Sequence, residues 1–457
     1  MDISTKTYLE KLKRRFQIKG IIVSAPTSGA GKTIFTLGLL RALRKRLYAV
    51  YPAKSGPDYI DPLFHHVASG RPSLNLDSWA MNAGLVKSLA NVPSKEGFSG
   101  TGDILLVEGA MGILDGGGKG GRGCVADLAE LLSLPVILMV DASKQFHSVA
   151  LAPMGLMNAR PETKLLGVIL NKIGSKRHLT GAKESLETHG VRLLGWIPNK
   201  SEFIIPERHL GLVLPSENPE IEEFIEKVSD QIEETVQIEA ILNNTSEVTF
   251  PGKPEPHVGI KPLGQNIAVA NDKAFAFLYT HLINYWRDKG AKILPFSPLA
   301  DEGPDAEADA VFLPGGYPEL HLPKLTGNAK FFARMNNARD RNALIYGECG
   351  GFMVLGDAIE DSKGQSHRML GFLKHVTSFQ KPKLQLGYRQ FEALPNPIYQ
   401  GKFLGHEFHY STLKVSGGSK NLFQVEDSFG NKLPEAGLVE GNVFGSYNHL
   451  ICASQEE

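Results

Sequence analysis

A glycine-rich turn set between an apolar β-branched run and a helical run constrains this chain more than any other feature. In GIIVSAPTSGAGKTIFTLGLLRAL, Gly20–Leu43, the first residues read as a strand and the last as a helix. Thr27, Ser28, Gly29, Ala30, Gly31, Lys32 and Thr33 form the junction. Backbone N–H groups of such a loop point at phosphate oxygens, the lysine meets the outer phosphates, and the hydroxyl can ligate magnesium. Pro26 stands where the common GxxxxGK(S/T) pattern has its first glycine, so the loop is a variant. The bland alternative is a glycine turn that only connects strand to helix; the strand before it and the helix after it weigh against that.

The alternation continues through YAVYPAK, DILLVEGA, PVILMVDAS, LLGVILNKI and VRLLGWIP, the signature of a parallel α/β sheet. Catalytic loops then follow the C-terminal ends of the strands. KSGPDYIDP offers Asp58, Tyr59 and Asp61, while DILLVEGAMGILDG places Glu108 at a strand tip and Asp115 in a Gly-rich loop. Thr33, Asp58 and Glu108 are candidate oxygen ligands, direct or through water, for nucleotide-bound magnesium. Asp58 and Asp115, beside glycine and proline, are also ordinary turn formers. Asn171 closes LLGVIL, where its amide suits either an adenine edge or a cap on the next turn.

At 457 residues the chain exceeds one ordinary core, so two domains are expected. The pattern breaks in a Pro- and Gly-rich stretch, giving a P-loop domain over 1–243, a linker over 244–264 and a second α/β domain over 265–457. With 49 basic and 49 acidic residues, the balance attracts neither nucleic acid nor an anionic membrane surface. No window approaches the roughly 20 apolar residues of a membrane span. Three scattered cysteines without a CxxC pair fit a reduced, cytoplasmic compartment. A homodimer is the commonest arrangement for soluble enzymes.

In the second domain, NALIYGECGGFMVLG is a strand entering a sharp turn and leaving as a helix, with Cys349 at the turn. A thiol placed so is exposed above the sheet, and the helix N-terminus is expected to lower its pKa. Cys124 and Cys452 read instead as small buried residues. His449, beyond a strand near the chain end, is the candidate base. Backbone N–H groups of Gly315 and Gly316 in VFLPGGYPE, with that of Gly350, are candidates for an oxyanion hole. His406, Glu407 and His409 in GHEFHYS suggest a metal cluster, but no further ligand stands at zinc spacing, so internal hydrogen bonding is preferred.

SAPTSGAGKT, GPDYIDPLFH, VEGAMGILDG, PERHLGL, LPGGYPE, YGECGGFMVLG, GHEFHYS and YNHL, in this order, resemble the cobyrinic acid a,c-diamide synthase family over nearly the whole chain. The resemblance implies a dethiobiotin-synthetase-like ATPase domain joined to a class I glutamine amidotransferase domain of flavodoxin-like α/β fold. It implies ATP with Mg2+, L-glutamine and a polycarboxylate tetrapyrrole as partners, and no tightly bound organic cofactor. Lys32 and Thr33 would bind ATP and magnesium, Asp58, Glu108 and Asp115 would serve the synthetase site, and Tyr59 would handle substrate. Cys349 would be the glutaminase nucleophile with His449 its base. After His449 comes LICAS, without the HPE-type glutamate of other class I amidotransferases, so the third member stays open.

Amidation of acetate side chains would proceed through an acyl phosphate, since a carboxylate is a poor electrophile until phosphorylated. Cobyrinic acid, hydrogenobyrinic acid, sirohydrochlorin or its nickel form, and sirohaem all carry acetates on a similar ring, and the sequence does not choose among them. The related cobyric acid synthase type fits GPDYIDP and EGAMGILDG less well. A P-loop switch ATPase with a noncatalytic amidotransferase-like module would explain the first domain but leave the ECGG turn and His449 idle.

Overall fold

The structure, a computed structural model, describes residues 18–91, 102–203, 207–208, 211–212, 214–248, 259–415, 417 and 420–454. The described residues form two compact units, the first ending at Val248 and the second taking up from Gly259, with Gly117–Lys119 grouped with the second. In the first, β1 (Lys19–Ser24), β2 (Ala49–Ser55), β3 (Leu74–Leu76), β4 (Asp103–Glu108), β5 (Val136–Asp141), β6 (Leu165–Ile173) and β7 (Leu193–Pro198) build one sheet. Its order is β3-β2-β4-β1-β5-β6-β7, and all these pairings are parallel. Strands buried on both faces read as continuous apolar runs, and β1, β4 and β5 are buried almost throughout.

Helix α1 (Lys32–Lys45) leaves the loop after β1, and α2 (Ile60–Ser69) follows β2. α1 begins at Gly31, whose φ of 95° lies in the left-handed region. A Cβ there would sit 2.1 Å from Asn171 Nδ2, so only glycine fits. Phe35, Leu39 and Leu40 of α1 join a core with Ile225, Val228 and Ile232 of α3 (Ile221–Thr235). Each such buried side chain contributes roughly 1.5–3 kcal/mol over leaving it exposed. Part of the expected linker is built into this sheet, because Ser246–Glu247 pairs antiparallel with β1. Residues 249–258 of that linker lie outside the described residues.

The second unit opens with β8 (Asn266–Ala270), β9 (Lys292–Phe296), β10 (Ala310–Leu313) and β11 (Leu344–Glu348), and α4 (Gly350–Leu355) follows the last directly. Then come β12 (Gln385–Ala393), β13 (Lys402–His409), β14 (Lys420–Asp427), β15 (Lys432–Glu440), β16 (Val443–Ser446) and β17 (Asn448–Ala453). The parallel part runs β9-β8-β10-β11-β16, which in strand order is the flavodoxin-like 2-1-3-4-5 arrangement. An antiparallel extension, β15-β14-β12-β13-β17, continues the same sheet. The sequence reading places His449 beyond a strand near the chain end. GNVFGSYNHLICAS forms two strands that part at Tyr447: β16 pairs with β11, and β17, which carries His449, pairs with β13.

Candidate active sites

Lys32, at the first position of α1, turns its ammonium back over the loop and donates to the carbonyls of Thr27 (3.3 Å) and Met111 (2.7 Å). Thr33 donates its hydroxyl to Glu108 Oε1 at 2.7 Å, joining α1 to the tip of β4. Lys54, from the end of β2, donates to the same Glu108 oxygen at 2.9 Å and to Asp61, and lies 3.8 Å from Asp58. The other Glu108 oxygen is 2.7 Å from His65 Nε2 on α2. Because the strands are parallel and adjacent in the order β2-β4-β1, their C-terminal ends bring these groups to one edge of the sheet.

Electrostatics follow from that packing. Burial favours neutral forms, yet Asp61, Glu108 and Asp58 outweigh it at Lys54 and raise its pKa. Burial would likewise raise Glu108, but Lys54 and His65 hold it below the usual carboxylate range. Lys32 is lowered, by burial first and then by the charge of Lys54. Burial and the neighbouring Asp58 push Asp61 up. Lys32, Lys54, Asp58, Asp61 and Glu108 line a cavity of about 810 Å³ that Lys172 and Lys200 also border.

In the second unit, Cys349 stands between β11 and α4 with φ 46° and ψ −107°, and it is 3% exposed. The Gly350 and Gly316 backbone N–H groups act electrostatically on its thiol in favour of the thiolate, and Sγ donates to the Phe408 carbonyl at 3.7 Å. A Cβ on Gly315 would lie 3.2 Å from Cys349 Cβ, 2.5 Å from His449 Cε1 and 3.3 Å from His449 Nε2, so thiol and imidazole converge on that bare backbone. Glu348 Oε2 is 3.7 Å from His449 Nδ1. His406 stacks on His449 with centroids 4.9 Å apart, and His409 stacks on Tyr447 at 3.8 Å. Glu407 accepts from Arg389 and sits 2.9 Å from His409 Nε2. Burial governs the ionisation here: it pushes His449 down to about 3 and the Glu348 carboxyl up to about 8.

Residues 21–213 match the CobQ/CobB/MinD/ParA nucleotide binding domain, and residues 266–457 match the CobB/CobQ-like glutamine amidotransferase domain. Two proteins named hydrogenobyrinate a,c-diamide synthase, from Brucella suis and Rhizobium meliloti, are 45% and 43% identical to this chain. The alignments run over 439 and 438 residues, 96% of this chain and 100% of each relative. This chain belongs to the a,c-diamide synthase family.

In this a,c-diamide synthase family member the cavity gathers Ser28, Gly29, Gly31, Lys32, Thr33, Asp58, Glu108 and Asn171. Thr27, Ala30, Tyr59 and Asp115 are not among its lining residues. Ala30 offers its carbonyl to Asn171 Nδ2 at 2.9 Å, and Asn171 Oδ1 accepts from Lys172 N, so this amide ties the loop to the end of β6. Asp58 Oδ1 accepts from Ile60 N at 2.8 Å at the start of α2, Tyr59 is the buried residue before that helix, and Asp115 closes a turn on Gly112 N. Of PERHLGL, Pro206, His209 and Leu210 lie outside the described residues.

Two expectations about the thiol are overturned. It was expected to stand exposed above the sheet and to be acidified by a helix N-terminus, but it is buried, and burial and the Glu319 carboxylate push Cys349 up to about 12, against the Gly350 and Gly316 N–H groups. α4 has only six residues, and its N-terminus does not offset desolvation. Sequence reasoning missed Lys54, His65, Glu319 and Glu348. The pair Asp61 and His65 had a signal in its i,i+4 spacing on one helix face. Among the described residues no group of three or more His, Cys, Asp or Glu is arranged to hold a metal, and His409 is engaged with the Ser411 carbonyl and Glu407. No helix among them is long and apolar enough to cross a membrane.

Proposed function

We propose that this protein uses ATP and glutamine to amidate the a and c acetate side chains of a hydrogenobyrinate-type tetrapyrrole. The observation that carries this reading is the match to the named synthases along 96% of this chain, with a nucleotide binding domain and a glutamine amidotransferase domain on one chain. Lys32, freed from the Thr27 and Met111 carbonyls, would pair with the outer phosphates. Lys54, held charged among carboxylates, would face the γ-phosphoryl group as it passes to a substrate acetate and yields an acyl phosphate. Thr33 and Glu108 offer hard oxygens in contact, and Asp58 stands near Lys54, a set that fits magnesium completing its shell with water and phosphate. Bound with the nucleotide, magnesium neutralises charge on the phosphates.

In the second unit, Cys349 would attack the glutamine carboxamide, with Gly316 and Gly350 N–H groups receiving the developing oxyanion. His449 would take the thiol proton and return it to the leaving nitrogen. Ammonia then displaces phosphate from the acyl phosphate. The test is incubation with ATP, magnesium, glutamine and each of hydrogenobyrinic acid, cobyrinic acid and sirohydrochlorin, with mass measurement of products. The expected result is a diamide of the first. A diamide formed only from sirohydrochlorin would replace the substrate in this reading, and no amide from any ring would sink it.

A further inference from the structure

Two carboxylates approach the imidazole of His449, and they differ in what else they hold. Glu407 is engaged: one oxygen is 2.9 Å from His409 Nε2 and the other accepts from Arg389 Nε and Nη2 at 3.0 and 2.9 Å. Glu348 is oriented differently. It ends β11, one residue before Cys349, and its Oε2 faces His449 Nδ1 at 3.7 Å. Its Oε1 is anchored as an acceptor by the Leu450 N–H and the Tyr346 hydroxyl, both at 3.2 Å. The side chain is 4% exposed and buried beside the imidazole.

We infer that Glu348, as the ionised carboxylate, is the positioning residue of the glutaminase site, keeping a proton on His449 Nδ1 so that an unprotonated Nε2 faces Cys349. A carboxylate from just before the nucleophile thus serves where other amidotransferases use a glutamate after the histidine. This rests on the reading of Cys349 and His449 as nucleophile and base. A base that must accept the thiol proton at Nε2 needs its own proton on Nδ1, and it needs a negative neighbour when it becomes imidazolium. The contacts at Gly315 put Nε2 on the thiol side, and Glu348 Oε2 stands 3.7 Å from Nδ1. The thiol proton moves to Nε2 as sulfur bonds to the carboxamide carbon. That proton then leaves with the nitrogen as the C–N bond breaks, giving thioester and ammonia. Glu348 neither gains nor loses a proton in the cycle.

The anchoring of Oε1 makes a sharp test. In Glu348→Gln the amide oxygen takes the place facing Leu450 N–H and Tyr346, so the NH2 faces His449 Nδ1 and selects the wrong tautomer. In full-length protein above pH 8, where the parent carboxyl is ionised, glutaminase kcat should fall on the order of 10²-fold, less than the 10⁴ known for a tightly bonded triad carboxylate. KM for glutamine and ammonia-dependent synthesis should hold. 15N-histidine spectra taken above the carboxyl pKa of about 8 should show His449 protonated at Nδ1 in the parent and at Nε2 in the variant. Glu348→Asp, which keeps an acceptor one methylene further back, should retain the Nδ1–H form and recover part of the rate. An unchanged kcat, an unchanged tautomer, or an equal loss of ammonia-dependent synthesis would each overturn the inference. Cys349→Ser run in parallel separates the levels. If it keeps glutaminase activity, the underlying assignment falls and takes this one with it; if it loses activity while Glu348→Gln does not, only the positioning role falls.

Discussion

Lys54 and Glu108 in the phosphate cradle are buried as thoroughly as Cys349, Glu348 and His449 in the thiol site, yet the first pair is charged and the second group neutral. The difference lies in partner distance. Lys54 and Glu108 are 2.9 Å apart with Asp61 and His65 closing the network, so Coulomb attraction offsets desolvation. In the thiol site the nearest carboxylate oxygen stands 3.7 Å from the imidazole, and burial wins. The cradle therefore keeps its charges in place for a permanent polyanion, whereas the thiol site is uncharged at neutral pH and gains its carboxylate only as Glu348 ionises near 8.

The largest effects should test that division. Cys349→Ala should lower glutamine-dependent synthesis by about 10⁴-fold or more, the scale of losing a catalytic nucleophile, while product from ammonium chloride at alkaline pH persists. Loss of both activities in folded protein would place the thiol in the synthetase site. Lys32→Ala should cost about 10³-fold with either nitrogen source, because it acts before nitrogen enters; product mass from both sources measures this. Retained ammonia-dependent synthesis would break the comparison from the other side.

Smaller effects sharpen it. Lys54→Met leaves Glu108 and Asp61 without their cation and should destabilise the first unit by about 3–5 kcal/mol in denaturant unfolding of the full chain. Glu348→Gln, which replaces a group neutral at pH 7, should change stability by less than about 1 kcal/mol. Equal costs would mean that the charge states have been misread. The pH response is the mildest. A raised carboxyl pKa means that Glu348 is protonated at neutral pH and ionises as pH rises through about 8, while His449, lowered to about 3, stays neutral throughout. Glutaminase kcat/KM should therefore climb towards a midpoint near 8. Glu319, also pushed up by burial to about 8, faces the same thiol, and Tyr346 and Tyr399 adjoin Glu348. Loss of the climb in Glu348→Gln assigns it. A midpoint near the ordinary histidine value of about 6.5, unmoved in that variant, would assign it to an imidazole instead.

What the sequence made legible was local. The loop from Thr27 to Thr33 and the turn around Cys349 each need particular residues in a contiguous run, and alternating strands and helices announce parallel sheets. What stayed hidden depends on which strands become neighbours. Lys54 meets Glu108 only because β2 pairs with β4, a partnership across 54 residues. Glu348 was in plain view beside Cys349, but nothing local says that β17 returns to donate Leu450 N–H to it and set His449 opposite. The reversed thiol pKa has the same origin, since a helix terminus is readable in sequence and the depth of its burial is not.

The backbone at Cys349 carries a further consequence. A φ of 46° with ψ −107° is a conformation that residues with a Cβ rarely adopt, and holding it costs on the order of 1–3 kcal/mol. Glycine escapes that strain, so once the thiol is gone the usual ranking should invert, with Cys349→Gly more stable than Cys349→Ala by about 1 kcal/mol. Under mutational drift, this places catalysis and durability in opposition at a single codon. A lineage supplied with free ammonia would have a downhill path from cysteine to glycine, and a glycine at this turn in a natural relative would mark a chain that has stopped hydrolysing glutamine.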